Sequence, residues 1–147
     1  MINRGILTNR GDYKWFVKTT EPVNFPEAEL ALDPYLMGLL LGDGCLNKTY
    51  VNVATADQEI VDFLNEEVGN NLNMNVSKRN GDQYAYFLTR KINPPKENFI
   101  LKSLRDMNLS EKRSENKFIP KEYLYSSVQQ RISLLQGLLD TDGSITE

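Results

Sequence analysis

A chain of 147 residues, 40% apolar and 25% charged, can bury one sizeable core, and its net charge of −3 gives no overall pull towards a polyanion. It holds no histidine and a single cysteine, Cys45. That excludes Ser-His and Cys-His catalysis, imidazole or thiolate metal sites and an internal disulfide, and leaves acid chemistry and any Mg2+, Mn2+ or Ca2+ site to carboxylates and other oxygens.

Met1-Ile2-Asn3-Arg4 lacks the apolar run of a secretory signal, and Leu36–Leu41, broken by Gly38, is too short to span a bilayer. A cytoplasmic or nucleoid-associated protein, not secreted and without a membrane partner, is therefore expected. Residues 1–32 read as an arm or linker. Tyr13-Lys14-Trp15-Phe16-Val17 predicts a short strand, and Pro22 and Pro26 deny regular structure to the segment between them.

Asp33-Pro34 predicts a helix start, with Asp33 as the cap and Pro34 in the first turn. That helix stops at Gly42 or Gly44. Strands are expected at Cys45-Leu46 and Tyr50–Val53 around an Asn47-Lys48 turn. Thr55-Ala56-Asp57-Gln58 reads as a capping box opening a helix that ends at Gly69. Strands at 74–77 and 83–88 flank Asn80-Gly81-Asp82, a hairpin turn. A helix from about Glu97 to Met107 follows, then a polar stretch and a short helix from Pro120 to Leu124. Ser127-Val128-Gln129-Gln130 is another capping box, and it opens a final helix.

Two helices carry the same motif. The first reads Leu36-Met37-Gly38-Leu39-Leu40-Leu41-Gly42-Asp43-Gly44, and the second Leu135-Gln136-Gly137-Leu138-Leu139-Asp140-Thr141-Asp142-Gly143. The aspartates lie 142 − 43 = 99 residues apart. Gly38 and Gly42 share a helix face, as do Gly137 and Thr141, and small residues at that spacing let two helix backbones meet. Close packing would bring Asp43 and Asp142 near a common axis, a layout suited to divalent metal and phosphodiester hydrolysis. An Asp-Gly helix terminus followed by a turn is the plain alternative for either copy.

Charge is segregated along the chain. Between Glu21 and Ser77 the only basic residue is Lys48, whereas from Lys78 to Lys121 eleven basic residues face five acids. Such a half can track phosphates, or it can simply be solvated surface.

The two motifs, with Pro34-Tyr35 leading into the first and Phe118-Ile119-Pro120-Lys121 approaching the second, resemble the LAGLIDADG homing endonucleases, most closely the endonuclease domain carried inside inteins. The resemblance covers about Asp33 to Glu147. It implies an α+β fold, αββαββα, with a four-stranded antiparallel sheet and helices on one face, plus a second motif helix at the C-terminus. The division implied is an arm over 1–32, a first repeat over 33–133 and the start of a second over 134–147.

By resemblance the activity is site-specific cleavage of double-stranded DNA with Mg2+ or Mn2+. The catalytic metal ligands implied are Asp43 and Asp142, with Gly42 and Thr141 beside them, while Asp140, matched by Leu41 in the first copy, is a weaker candidate. The sheet face implied to meet DNA draws on Lys48, Tyr50, Asn52, Lys78, Arg79, Gln83 and Arg90. Lys91 and Lys96 are both candidates for a basic group near the metal. Two departures are expected to matter. The family's two-motif members continue into a second half beyond the point where this sequence stops, and a chain without histidine cannot splice by intein chemistry. A non-catalytic DNA-binding module or an inactive intein remnant is the alternative, and an exposed second motif helix predicts a homodimer.

Overall fold

The computed structural model describes residues 20–79, 81–91 and 97–142, the side chain of Asp142 excepted. The expected strand at 13–17, Asn80 of the hairpin turn, Lys96 and Gly143 lie outside these residues.

Helix α1 (Pro34–Leu41) starts as expected: the Asp33 carboxylate accepts the Tyr35 and Leu36 N–H groups at 2.8 and 3.1 Å. Every residue from Leu36 to Leu41 is buried. A helix that is apolar all round must be covered all round, and α1 lies between the sheet and the last helix.

Strands β1 (Gly44–Leu46), β2 (Val51–Ala54), β3 (Met74–Lys78) and β4 (Ala85–Arg90) form one antiparallel sheet in the order β1-β2-β4-β3. The fold is α+β. Between β2 and β3 runs α2 (Gln58–Leu64), capped by Asp57, and a π-helical segment over Asn65–Asn71. Then come α3 (Phe99–Asp106), a 3-10 turn (Ser114–Asn116), α4 (Lys121–Leu124) and α5 (Val128–Asp142). The capping box at α5 is reciprocal: Ser127 N–H donates to Gln130 Oε1 at 3.1 Å, and Gln130 N–H donates to Ser127 Oγ at 3.3 Å.

Strand alternation sorts the sheet into two faces. Leu46, Val51, Val53, Leu88 and Met74 share one core with Leu36, Leu39 and Leu40 of α1, Ile60 and Leu64 of α2, and Ile100 and Leu104 of α3. Each fully buried leucine there contributes about 1.5–3 kcal/mol. The helices of this core lie on one face, and the other parity stays open.

The segment from 20 to 32 has no regular structure, as expected of an arm, yet it is strapped to α4 and α5. Ala28 exchanges two hydrogen bonds with the Gln130 amide, and Phe25 meets Tyr125 edge-on at 5.4 Å. Buried Tyr123 accepts from Leu32 N–H at 3.1 Å and donates to Leu32 C=O at 2.8 Å. Burial pushes the Tyr123 phenol up to about 12, against a partial pull downwards from its bond to Leu32. The folded state therefore holds this proton more tightly than the unfolded chain, whose tyrosines titrate near ~10. The resulting stabilisation is complete below pH ~10 and is lost as pH rises towards about 12. Tyr123→Phe orphans two backbone groups and is expected to cost about 2–4 kcal/mol in urea unfolding. An unchanged midpoint would show that the strap bears no load.

Candidate functional site

The two motif helices cross at their glycines, and the contacts repeat at the offset of the sequence motif. A Cβ on Gly38 would strike Leu134 O and come within 2.9 Å of both Gly137 Cα and Leu138 N. A Cβ on Gly137 would strike Tyr35 O and stand 3.0 Å from Leu39 N and 3.1 Å from Gly38 Cα. Leu134 is Tyr35 advanced by 134 − 35 = 99, and Leu138 is Leu39 advanced by 138 − 39 = 99. The glycine contact is therefore twofold-symmetric between α1 and α5, and the motif offset makes Asp43 and Asp142 counterparts in sequence, although Asp43 lies past the end of α1 and Asp142 closes α5.

The second small pair behaves differently. Gly42 caps α1, its N–H donating to Gly38 O at 3.0 Å. The Thr141 hydroxyl bonds back to Gly137 O and Leu138 O at 3.1 and 3.0 Å within its own helix. Asp140 accepts the Tyr35 hydroxyl at 2.7 Å, linking the last turn of α5 to the first of α1. Burial first, and then this carboxylate, hold the Tyr35 phenol well above its ordinary range.

Asp43 is exposed, immediately beyond the α1 terminus. Its carbonyl accepts Ala54 N–H at 3.3 Å, so the acid is built into the start of the sheet. Gly44 is obligatory next to it, because a Cβ there would lie 2.6 Å from Leu40 Cα. The half-buried ammonium of Lys117 donates to the carbonyls of Leu40 and Leu41 at 3.0 Å, Gly42 at 3.1 Å and Gly44 at 2.7 Å. A cation on the last carbonyls of a helix satisfies acceptors that have no partner within it and opposes the negative end of its dipole. Lys117→Met is expected to cost about 2 kcal/mol. Thermal melting checks this, and an unshifted transition would mean that water replaces the ammonium without loss.

Lys117 is thus a lysine beside Asp43, and the sequence candidate Lys91 is placed elsewhere. Lys91 donates to Asn73 Oδ1 at 2.7 Å and to Gly69 O, at the junction of the π-helical segment with β3. Lys96 lies outside the described residues. The available signal was the approach Lys117-Phe118-Ile119-Pro120, which marks the entry to the second motif.

On the open face, register lines up Cys45, Asn52, Phe87 and Ser77 across the four strands. Arg79 stacks over Phe87 at 3.9 Å and lies 5.4 Å from the Tyr50 ring, so Phe87 is only 6% exposed on an otherwise polar face. The structure brings Tyr50, Asn52 and Arg79 together here. Arg90 joins Tyr50 and Arg79 around a shallow cavity of about 390 Å3, although its pairing with Met74 gives it the parity opposite to Tyr50 and Asn52. Lys78 has the opposite parity, in the row of Val53 and Tyr86; it lies over the Tyr86 ring at 4.6 Å and donates to Gln83 C=O at 2.7 Å. The side chains of Gln83 and Lys48 are exposed, in the β3–β4 and β1–β2 connections.

Among the described residues no three His, Cys, Asp or Glu side chains gather as a metal cluster, and no helix is long and apolar enough to cross a membrane.

No protein-family model matches the chain. The replicative DNA helicase DnaB of Mycobacterium intracellulare is 28% identical to it over 130 residues, which is 88% of this chain. The chain spans only 17% of that relative's length.

Proposed function

We propose that this chain is a LAGLIDADG homing-endonuclease domain of the intein-borne kind, which hydrolyses phosphodiester bonds of double-stranded DNA at a specific site with Mg2+ or Mn2+. The symmetric glycine contact carries this reading, because it pairs the two motif helices whose C-terminal ends lead to Asp43 and Asp142. An endonuclease segment housed within a replication protein also accounts for a match confined to 17% of a helicase.

The oxygens at the end of α1 suit a hard cation. Carbonyls of Leu40, Leu41, Gly42 and Gly44, the residues on either side of Asp43, already converge on one positive group, Lys117 Nζ. Mg2+ takes one or two protein carboxylates and fills its shell with water and phosphate oxygens, so a three-acid cluster is unnecessary. Asp43 and Asp142 would hold the metal, which when bound supplies Lewis-acid polarisation and an activated water. Lys117 fixes the backbone that carries Asp43 and adds positive charge where a phosphate must approach. Tyr50, Asn52 and Arg79 offer long polar side chains from one sheet face to base edges or phosphates.

A second reading is a DNA-binding module or inactive remnant. Leu135 and Leu139 are 52% and 55% exposed, whereas their counterparts Leu36 and Leu40 are 0% exposed over the sheet. The second motif helix has no such sheet beneath it among the described residues. Selection from a randomised duplex library, with Mg2+ and with EDTA, separates the readings. Cut ends enriched for one sequence only with Mg2+ support the nuclease, and retained but uncut duplex under both conditions supports the binding module.

A further inference from the structure

We infer that the loop from Asn108 to Lys117, with the outer side of β1, forms a binding site for two neighbouring backbone phosphates of nucleic acid, beside the Asp43 centre and distinct from it. The sheet order puts β1 at an edge. Glu111 N–H donates to Leu46 O at 2.6 Å, pinning the loop to that edge. A cavity of about 480 Å3 opens there, lined by Gly44, Asn47, Lys112, Arg113, Ser114 and Lys117 among others.

Its chemistry is that of an anion site. Lys112 and Arg113 are exposed, and neither is paired with a carboxylate among the described residues. An ammonium, a guanidinium fork, a hydroxyl and an amide together suit the oxygens of a phosphodiester. The Glu111 carboxylate is the one acid on the rim, so the lining keeps a positive excess. A second cavity of about 310 Å3 shares Lys112 and adds Lys48 and Arg105, the latter bonded to Glu97 at 2.5 Å. Basic groups spaced along two adjoining open cavities suit a polymer of phosphates better than one small ion.

The loop is also shaped before any ligand arrives. Asn108 and Glu111 stand at φ 58° and 64°, a region that side chains other than glycine rarely adopt. Leu109 and Ser110 N–H both donate to Leu104 O, at 2.8 and 3.2 Å, and Leu109 is fully buried. Asn108 follows the C-cap Met107 of α3, where a left-handed residue commonly ends a helix, so the fold itself sets the loop's course.

The site deepens the proposed DNA function and rests on it for the identity of the polymer. Its test is the salt dependence of duplex binding, read by fluorescence anisotropy in EDTA, for the wild type and for Lys112→Gln with Arg113→Gln. Losing two phosphate contacts should lower the slope of log K against log salt by about 1.8, at ~0.9 per phosphate. Both side chains are exposed, so the melting transition should not move. An unchanged slope overturns the site, as does a wild type that binds no duplex. So does orthophosphate binding, seen by phosphorus NMR, that the double variant loses while its duplex slope stays the same. Because no cleavage is read, a failed nuclease reading leaves this measurement intact, and an unchanged slope sinks the phosphate site alone.

Discussion

Valine at Gly38 is expected to lower the stability of this fold by roughly 3 kcal/mol or more, the upper part of the range for overpacked cores. The reason lies in what the new side chain would meet. Leu134 O, Gly137 Cα and Leu138 N are all backbone atoms of α5, and backbone cannot rotate away as a side chain can. Relief would need α1 and α5 to separate, and α1 carries Leu36, Met37, Leu39 and Leu40, each 0% exposed. Gly137→Val should behave alike, since it meets the mirror set on α1. Gly69→Ala is the control, because a Cβ there meets nothing within 4 Å. Urea unfolding of the three variants measures the effect. A Gly38→Val protein as stable as Gly69→Ala would mean that the helices do not touch at their glycines.

Asparagine at Asp43, or at Asp142, is expected to cut metal-dependent DNA cleavage by more than about a hundredfold. Loss of a mere second-layer partner can cost a metal site that much, and these residues are proposed as direct ligands. Duplex affinity in EDTA should hardly change, because the basic groups proposed to meet phosphate lie on the 108–117 loop and the open sheet face. Cleavage and anisotropy on the same library-selected duplex give both numbers. Cutting by both variants at the wild-type rate would remove these acids from the mechanism.

What could be read from sequence, and what could not, divides by sequence distance. The Asp33 cap, the Ser127–Gln130 box and the four strands depend on neighbours a few residues away, and all were legible. The glycine crossing spans 99 residues, and it became legible only because the motif occurs twice. Lys117 reaches carbonyls 73 to 77 residues distant from a polar stretch without periodicity, so its place at the approach to the second motif did not reveal its partners. The arm looked like a linker because its partners, Tyr123, Tyr125 and Gln130, are about a hundred residues further on. Strand β4 runs over 85–90 where 83–88 was expected, since the same alternation of Tyr84, Tyr86 and Leu88 fits both windows. The helix expected to end at Gly69 continues as a π-segment to Asn71. Leu72 N–H closes on Glu67 O there, and Asn70 and Asn71 bond back to Glu66 and Glu67. Parity, too, was hidden: the paired register puts Lys78 and Arg90 in the rows of the core-facing residues, away from Tyr50 and Asn52.

Helix α1, buried all round, has a consequence during synthesis. Its sheet-facing side can be covered once β4 has formed, but its other side waits for α5, whose first residue follows the end of α1 by 128 − 41 = 87 positions. At ~5–20 residues per second the ribosome needs on the order of ten seconds to make that stretch. For that interval an apolar helix stands half-covered at the ribosome's exit, so the nascent chain presents a surface for chaperones that the finished fold conceals.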